Sequence, residues 1–289
     1  MESRVGIIGL GLLGSAIAER LIGGGVSVSG YDLDSLRRQE FVEAGGLPMS
    51  SSGEVLAAAS TILLSLPTSD IVEQVLSAHL AILPGKTVID TTTGDAEQMA
   101  GFGSKLAGIG ATYIDATVAG SSAQVRARNA VVMLGGETHA CQHIQPLLTH
   151  FARQVFHLGP CGSGARMKLV VNLVLGLNRA VLAEGLTFAA RTGVDPRQAL
   201  EVLKAGPAFS RVMETKGEKM LSGNFTPEAR LSQHLKDVVL ILAAGEAAGA
   251  YLPLSQLHAS LLRMVESTGD GELDNSAIIR AFLGTTGTL

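Results

Sequence analysis

The sequence predicts an α/β fold, with an N-terminal Rossmann-type doubly wound sheet followed by an all-α C-terminal domain. Three observations support this prediction. An apolar strand at 5–8 runs directly into a glycine-rich turn and an amphipathic helix. Apolar strand-like runs then alternate with helical patterns to about residue 160, as in parallel β-α-β units. After the glycine-rich loop at 159–164 only helical patterns remain, so we expect domains at 1–163 and 164–289, joined through a long buried helix.

The individual elements follow from the hydrophobic period and from capping residues. Strands are expected at 5–8, 26–31, 61–66, 87–90, 112–115, 130–134 and 154–157. Helices of the first domain are expected at 12–22, 33–44, 52–58, 69–76, 95–106 and 138–149. Helices of the second domain are expected at 165–192, 197–205, 214–221, 231–249, 255–267 and 275–283. The first of these is apolar almost all round, which is typical of a buried helix.

The glycine-rich turn has the form Gly-x-Gly-x-x-Gly and reads Gly9-Leu10-Gly11-Leu12-Leu13-Gly14. Between a strand and a helix, such a turn lets backbone N–H groups approach a pyrophosphate, and the helix N-terminus attracts its negative charge. The second strand ends at Asp32, whose carboxylate is placed to accept hydrogen bonds from both ribose hydroxyls. We expect NAD as the cofactor. NADP stays possible, because Arg37 or Arg38 could reach a 2′-phosphate.

The remaining cofactor contacts are predicted from the rule that ligands of a doubly wound sheet bind outside the carboxyl ends of its strands. Three segments are therefore expected to border the cofactor cleft. The first contains Leu66 and Pro67, the second ends with Thr93, and the third is the stretch 116–122.

Composition indicates an ordinary globular protein. Apolar residues make up 46% of the chain and charged residues 17%, and the net charge of −4 offers no basic excess for nucleic acid or anionic lipid. The most apolar stretch, 169–177, is stopped by Asn178 short of a membrane span. We expect Cys141 and Cys161 to be free thiols. With a strand at the start of the sequence no signal peptide is expected, so we predict a cytoplasmic protein that binds neither nucleic acid nor membrane.

No metal site is predicted. The histidines show no metal-ligand spacing to carboxylates or cysteines, so each is expected at the surface or in a local hydrogen bond. They are His79, His139, His143, His150, His157, His234 and His258. Arg126 and Arg128 are expected as an exposed loop pair, the alternative being that they attract an anion.

Two polar residues interrupt the apolar helix of the second domain. Lys168 and Asn172 are four residues apart and therefore lie on one face of the helix. Burial disfavours a charged ammonium, so a lysine there can exchange a proton with a reacting oxygen. The alternative is a lysine whose long stem carries its head into water at the first turn of the helix.

Three further motifs follow the glycine-rich turn. A segment of the type Asp-Ala-Pro-Val-Ser-Gly-Gly appears as Asp115-Ala116-Thr117-Val118-Ala119-Gly120-Ser121. A Gly-x-Gly-x-x-x-Lys-x-x-x-Asn segment occupies 162–172, and Lys236-Asp237 follows late in the chain. With these motifs in this order over nearly its full length, the chain resembles the β-hydroxyacid dehydrogenase family, and most closely its 3-hydroxyisobutyrate-type branch.

The resemblance implies roles for residues of this sequence. Lys168 would be the catalytic acid/base, and Asn172 would hold the substrate or the lysine in place. Thr93 and Lys236 would contact the nicotinamide half of the cofactor. The substrate carboxylate would be held by the segment Val118, Ala119, Gly120 and Ser121.

This substrate segment departs from the family pattern. Thr117, Ala119 and Ser121 replace the usual proline, serine and glycine. The missing hydroxyl at Ala119 removes one hydrogen bond to a charged group, on the order of 1.5–3 kcal/mol, unless Ser121 or Ser122 supplies it. For Ser121, a substrate contact and a serine that closes its own turn are equally open.

The resemblance therefore favours an oxidoreductase that transfers a hydride between a nicotinamide cofactor and a small 3-hydroxy acid or its semialdehyde. The small-molecule substrate would be a carboxylate or an aldehyde. Two alternatives stay open: an imine reductase, in which the lysine is usually missing, and a non-catalytic dinucleotide-binding protein. Apolar runs at 169–177 and 238–244 hold more apolar surface than a small helical domain covers, so we expect a homodimer or homotetramer.

Overall fold

A computed structural model describes residues 4–283 of the chain, which divides into two compact units, Met1–Lys168 and Leu169–Leu289. The first unit contains one sheet of eight strands. These are β1 (Val5–Ile8), β2 (Val28–Tyr31), β3 (Leu47–Pro48), β4 (Thr61–Leu64), β5 (Thr87–Asp90), β6 (Thr112–Ala119), β7 (Ala130–Gly135) and β8 (Ala152–His157). Their order across the sheet is β3-β2-β1-β4-β5-β6-β7-β8.

The sheet is doubly wound, as predicted. All neighbouring strands pair in parallel except β6 and β7, which are antiparallel. Successive side chains of a strand point to opposite faces of the sheet, where two separate apolar cores lie. In β1, Ile7 belongs to one core and Ile8 to the other. A sheet with both faces covered needs near-continuous apolar strands, and β1 and β4 meet this requirement.

The helices of the first unit cover these two faces. They are α1 (Leu12–Gly23), α2 (Ser35–Glu43), α3 (Ser52–Ala58), α4 (Ser69–Ser77), α5 (Ala96–Ala107), α6 (Ser122–Arg126) and α7 (Thr138–Leu148). Side-chain caps fix several of their first turns, because Ser51, Thr68 and Asp95 accept backbone N–H groups of α3, α4 and α5.

The second unit is helical. Its elements are α8 (Ser163–Arg191), which begins in the first unit, followed by α9 (Pro196–Ala205), α10 (Arg211–Ser222), α11 (Leu231–Ala247) and α12 (Pro253–Glu266), with 3₁₀ turns at Asp270–Glu272 and Asn275–Ala281. One apolar core unites them, with Leu186 of α8, Leu235 of α11 and Leu262 of α12 among its buried side chains. The functional division into domains 1–163 and 164–289 stays a prediction.

Helix α8 is not buried all round, which corrects the expectation from its apolar composition. Val170, Val174, Val181 and Phe188 are all at least half exposed. Length and composition alone would allow α8 to cross a membrane, a criterion that core helices of soluble proteins also meet, and 44% of its most apolar window is buried. The four residues are four, seven and seven positions apart, which is about one or two helical turns each time, so they form one stripe along the helix.

Four further details depart from the prediction. Strand β3 and helix α6 were missed, because each is very short and β3 contains a proline. Strand β6 continues past Asp115, since Ala116–Ala119 pair with β7. The last predicted helix is a 3₁₀ turn.

Candidate active site

The glycine-rich turn forms the predicted strand-turn-helix cradle. Gly9 has a φ of 95°, and a Cβ atom there would collide with the carbonyl oxygen of Ser65. A Cβ on Gly14 would collide with the carbonyl oxygen of Gly9. Gly11 is the N-cap residue of α1 and provides no side-chain cap, so the first-turn N–H groups have no capping side chain. Together with the helix dipole, these groups can bind a pyrophosphate.

Asp32 is tied to the glycine-rich turn. Its Oδ2 accepts the N–H of Leu10 at 2.7 Å, and its Oδ1 accepts the N–H of Asp34 at 2.9 Å. The sequence predicted bonds to ribose hydroxyls, and the structure adds these two backbone bonds. A carboxylate offers about four acceptor positions, so both oxygens keep the capacity to accept a ribose hydroxyl.

The two arginines after Asp32 are held in different ways. Arg38 donates to the carbonyl oxygens of Asp32 and Leu33 at 2.6 and 3.0 Å, and its guanidinium lies over the Tyr31 ring. Arg37 lies 3.5 Å from a carboxylate oxygen of Asp34. A Cβ on Gly11 would be 2.8 Å from Arg37 Nη1, so this guanidinium borders the glycine-rich turn.

The predicted segments after β4 and β5 lie side by side. Leu66 donates its N–H to Thr92 Oγ1 at 3.1 Å, and Thr92 donates its N–H to Asp90 Oδ1 at 2.9 Å. Burial raises the pKa of the Asp90 carboxyl to about 6. Thr93 is half-buried next to this network, and Pro67 is exposed beside Leu66.

Lys168 contacts the predicted substrate segment. Its Nζ donates to the carbonyl oxygen of Val118 at 2.6 Å, and its side chain is half-buried. The predicted substrate segment is in part a strand, because Val118 and Ala119 are the last residues of β6. Gly120 and Ser121 then form the turn that leads into α6.

Ser121 closes its own turn. It is the N-cap residue of α6, where its Oγ accepts the N–H of Gln124 at 3.3 Å and its own N–H donates to Gln124 Oε1 at 2.8 Å. This is the local arrangement that the sequence left open. The hydroxyl of Ser121 can still donate one hydrogen bond.

In the helical unit, Asn172 and the Lys236-Asp237 pair come together. Asn172 Nδ2 donates to Asp237 Oδ2 at 2.9 Å, and Lys236 Nζ lies 3.2 Å from Asp237 Oδ1. Both Asn172 and Asp237 are buried. The amide NH₂ group has two N–H donors, so Asn172 can offer its second N–H as a donor and its Oδ1 as an acceptor.

Two of the histidines, expected at the surface or in a local hydrogen bond, are buried. His234 of α11 and His258 of α12 are buried, with ring centroids 5.2 Å apart, and both pack against Gly176 of α8. Burial lowers the pKa of His258 to about 4, and the nearby Arg179 guanidinium adds to this effect. No local sequence pattern indicated that two imidazoles would meet, because the two positions lie on different helices.

The structure also places several other side chains that the sequence analysis named. Cys141 and Cys161 are free thiols, as expected. Arg126 is exposed but belongs to α6 and pairs with Glu19 at 2.7 Å, while Arg128 donates to the carbonyl oxygen of Thr149. Within residues 4–283, no group of three or more histidine, cysteine or acidic side chains could hold a metal ion.

Comparison with known proteins decides the family. The model of the NAD binding domain of 6-phosphogluconate dehydrogenase matches residues 4–159, more than half of the chain. The model of the NAD-binding domain of NADP-dependent 3-hydroxyisobutyrate dehydrogenase matches residues 162–282. The chain belongs to the β-hydroxyacid dehydrogenase family.

Relatives of this β-hydroxyacid dehydrogenase align over nearly their whole length. It is 30% identical to 2-(hydroxymethyl)glutarate dehydrogenase of Eubacterium barkeri, covering 98% of this chain and 96% of the relative. It is also 30% identical to L-threonate dehydrogenase of Cupriavidus necator, covering 98% and 97%. Among solved structures, 3-hydroxyisobutyrate dehydrogenase of Mycobacterium tuberculosis superposes with a TM-score of 0.88 at 24% identity, covering 98% of this chain and 99% of that one.

These relationships give the reaction class. The chain is an NAD(P)-dependent oxidoreductase that acts on the CH–OH group of a small 3-hydroxy acid or on the corresponding semialdehyde. The cradle at the glycine-rich turn and Asp32 fit such a cofactor. Sequence reasoning missed the contact between Asn172 and Asp237, because the two residues are 65 positions apart.

Proposed function

We propose that Lys168 is the general acid/base of this dehydrogenase. When bound, the nicotinamide supplies the hydride acceptor or donor. In oxidation, Lys168 accepts the proton of the substrate hydroxyl, and in reduction it returns that proton to the forming alkoxide oxygen. The observation that carries the proposal is the 2.6 Å contact between Lys168 Nζ and Val118 O, which holds the amine beside the substrate segment.

The substrate would be held by two groups of residues. Val118, Ala119, Gly120 and Ser121 would surround its carboxylate, with the hydroxyl of Ser121 or Ser122 donating in place of the missing serine at position 119. Asn172 would hold the substrate hydroxyl oxygen by donating its second amide N–H, because one N–H is engaged with Asp237 and the hydroxyl proton is the one that Lys168 accepts.

The cofactor would be NAD in preference to NADP. The turn Gly9, Leu10, Gly11, Leu12, Leu13 and Gly14 would hold the pyrophosphate, and Asp32 would hold the adenosine ribose. Arg38 donates to two backbone carbonyls and Arg37 pairs with Asp34, so both guanidinium groups already have partners that compete with a 2′-phosphate, which supports a preference for NAD. Leu66 and Pro67 would border the cofactor, with Thr93 and Lys236 on the nicotinamide side.

Lys168 also argues against the imine reductase alternative, in which this lysine is usually missing. The three relatives reported above are dehydrogenases, and their names suggest the compounds to try: 2-(hydroxymethyl)glutarate, L-threonate and 3-hydroxyisobutyrate. The retained lysine is the specific feature that an imine reductase would not require.

The proposed assembly is a homodimer or homotetramer in the cytoplasm. The exposed stripe of Val170, Val174, Val181 and Phe188 on α8 favours a second copy of this chain as its occupant. An apolar stripe along a single long helix suits a symmetric helix-to-helix contact.

The experiment is a spectrophotometric screen of these hydroxy acids and their aldehydes with NAD(H) and NADP(H), with the wild type beside Lys168→Ala. Turnover of at least one compound by the wild type is expected, with little or none by the variant. Equal turnover by both proteins would remove Lys168 from the mechanism.

A further inference from the structure

Strand β6 presents two polar side chains to the start of helix α8. Ala116 and Val118 point into the apolar core that contains Ile7. Because side chains alternate along a strand, Asp115 and Thr117 point to the other face, and both are fully buried. Two buried polar side chains on one short stretch of strand require hydrogen-bond partners.

The first turn of α8 supplies those partners. Asp115 Oδ1 accepts the N–H of Gly162 at 2.7 Å, and its Oδ2 accepts the N–H of Ala165 at 2.8 Å. Thr117 Oγ1 donates to the carbonyl oxygen of Gly164 at 2.9 Å. The approach is so close that a Cβ on Gly164 would lie 2.8 Å from Asp115 Oδ2 and would collide with the carbonyl oxygen of Met133.

The carbonyl oxygen of Gly164, which accepts the Thr117 hydroxyl, also accepts a backbone hydrogen bond from Lys168. In an α-helix the N–H of one residue donates to the carbonyl oxygen four residues earlier, so the carbonyl oxygen of Gly164 also accepts the N–H of Lys168. At the other end of the lysine, Nζ donates to the carbonyl oxygen of Val118. Thr117 therefore holds the backbone of Lys168 through Gly164, and the next residue, Val118, holds its side chain.

We propose that Thr117 is a positioning residue for Lys168, whose hydroxyl fixes the first turn of α8 on β6 and so keeps the lysine amine against Val118 O. This inference rests on the proposed acid/base role of Lys168. Thr117 stands where the substrate segment of the family usually has proline, a residue without a hydroxyl. The enzyme thus uses a departure from that pattern to hold its acid/base.

The test compares three single variants with the wild type. Thr117→Val keeps the side-chain shape and removes the hydroxyl, Thr117→Ser restores the hydroxyl, and Thr112→Val is the control on the same strand. We measure kcat, KM and the cofactor Kd of each, using the best compound from the substrate screen. Thr117→Val should lower kcat about fivefold to tenfold, the effect of about one hydrogen bond, with KM and cofactor Kd little changed. Thr117→Ser and Thr112→Val should stay near the wild type.

A double-mutant comparison separates positioning from a general structural effect. In a Lys168→Ala background, Thr117→Val should cause no further loss of the residual activity, since the group that it positions is gone. Three results would overturn the inference: wild-type kcat in Thr117→Val, loss of cofactor binding by that variant, or an equal further loss in the Lys168→Ala background. Failure of the proposed function looks different, because Lys168→Ala itself would then retain full turnover.

Discussion

Lys168 Nζ lies 2.6 Å from the carbonyl oxygen of Val118, the residue before the position where the substrate segment has lost a serine. The lysine therefore does not extend freely into solvent, as the alternative for a long side chain at a helix start would have it. The same strand that presents the substrate segment orients the amine. This contact holds the amine where the proposed proton transfer requires it.

Cofactor choice is the first prediction. Asp32→Asn combined with Leu33→Arg removes the negative charge at the end of β2 and adds a positive one. The wild type should prefer NAD(H) in kcat/KM, and the variant should lose or reverse this preference. At about 4 Å and an effective dielectric of about 20, the repulsion of a 2′-phosphate is worth roughly 4 kcal/mol before screening. A wild-type preference for NADP(H) would mean that the attraction of Arg37 for the 2′-phosphate is stronger than the repulsion by Asp32.

The second prediction concerns the amide of Asn172. Asn172→Ala removes the group that Asp237 orients and leaves that buried carboxylate without its amide donor. In the transition state the proposed bond from Asn172 goes to an oxygen that is becoming an alkoxide, and a hydrogen bond to a charged group is worth about 1.5–3 kcal/mol, so kcat/KM should fall by roughly one to two orders of magnitude. Steady-state kinetics with saturating cofactor measures this change. Asn178→Ala on the same helix is the matched control, and an equal loss there would assign the effect to helix stability.

The third prediction is an acid dependence of stability that comes from His258. Its folded pKa of about 4 lies below the usual 6.5, so the unfolded chain binds more protons between these values. The stabilisation is complete above pH 6.5 and is lost as the pH falls toward 4. At about 1.4 kcal/mol per pKa unit it amounts to roughly 3 kcal/mol.

Chemical denaturation of the wild type and of His258→Phe at pH 7 and pH 4.5 measures the His258 contribution. The variant should lose less stability between the two values than the wild type. The exposed His143→Phe serves as the control and should keep the wild-type pH dependence. Identical pH dependence in all three proteins would show that His258 takes up no proton in this range.

The fourth prediction tests the stripe on α8. Val181 and Phe188 are 67% and 69% exposed in the single chain, whereas a second copy would bury them. Val181→Asp combined with Phe188→Asp should reduce the mass measured by light scattering to that of a monomer, since a buried unpaired charge is strongly unfavourable. Val202→Asp on α9, at a position 70% exposed, should leave the mass unchanged. A monomeric wild type at micromolar concentration would contradict the proposed assembly.

Local sequence patterns predicted most elements of the first unit, which contains the glycine-rich turn. The turn from Gly9 to Gly14 was recognisable because its strand, turn and helix are contiguous in sequence. Strand β1 and helix α3 were predicted with the bounds that the structure has. Their apolar period and caps are local properties, which single segments of sequence carry in full.

Contacts between distant segments could not be predicted in this way. Thr117 and Gly164 are 47 positions apart, and no pattern of hydrophobicity connects them. His234 lies on α11 and His258 on α12, and no local pattern of either helix shows that the two side chains are buried together. Which face of α11 meets α12 decides their burial, and that choice belongs to the packing of the whole helical unit.

The central claim is that Lys168 transfers the proton, and single-turnover hydride transfer measured by nicotinamide absorbance tests it most directly. Lys168→Met should slow hydride transfer by about 10²–10⁴-fold, the usual contribution of general acid–base catalysis, while cofactor Kd stays at the wild-type value. Lys86→Met is the matched control, because Lys86 Nζ also donates to a backbone carbonyl oxygen, that of Ala59, at 2.7 Å. That control should transfer hydride at the wild-type rate. Hydride transfer by Lys168→Met at the wild-type rate would contradict the account.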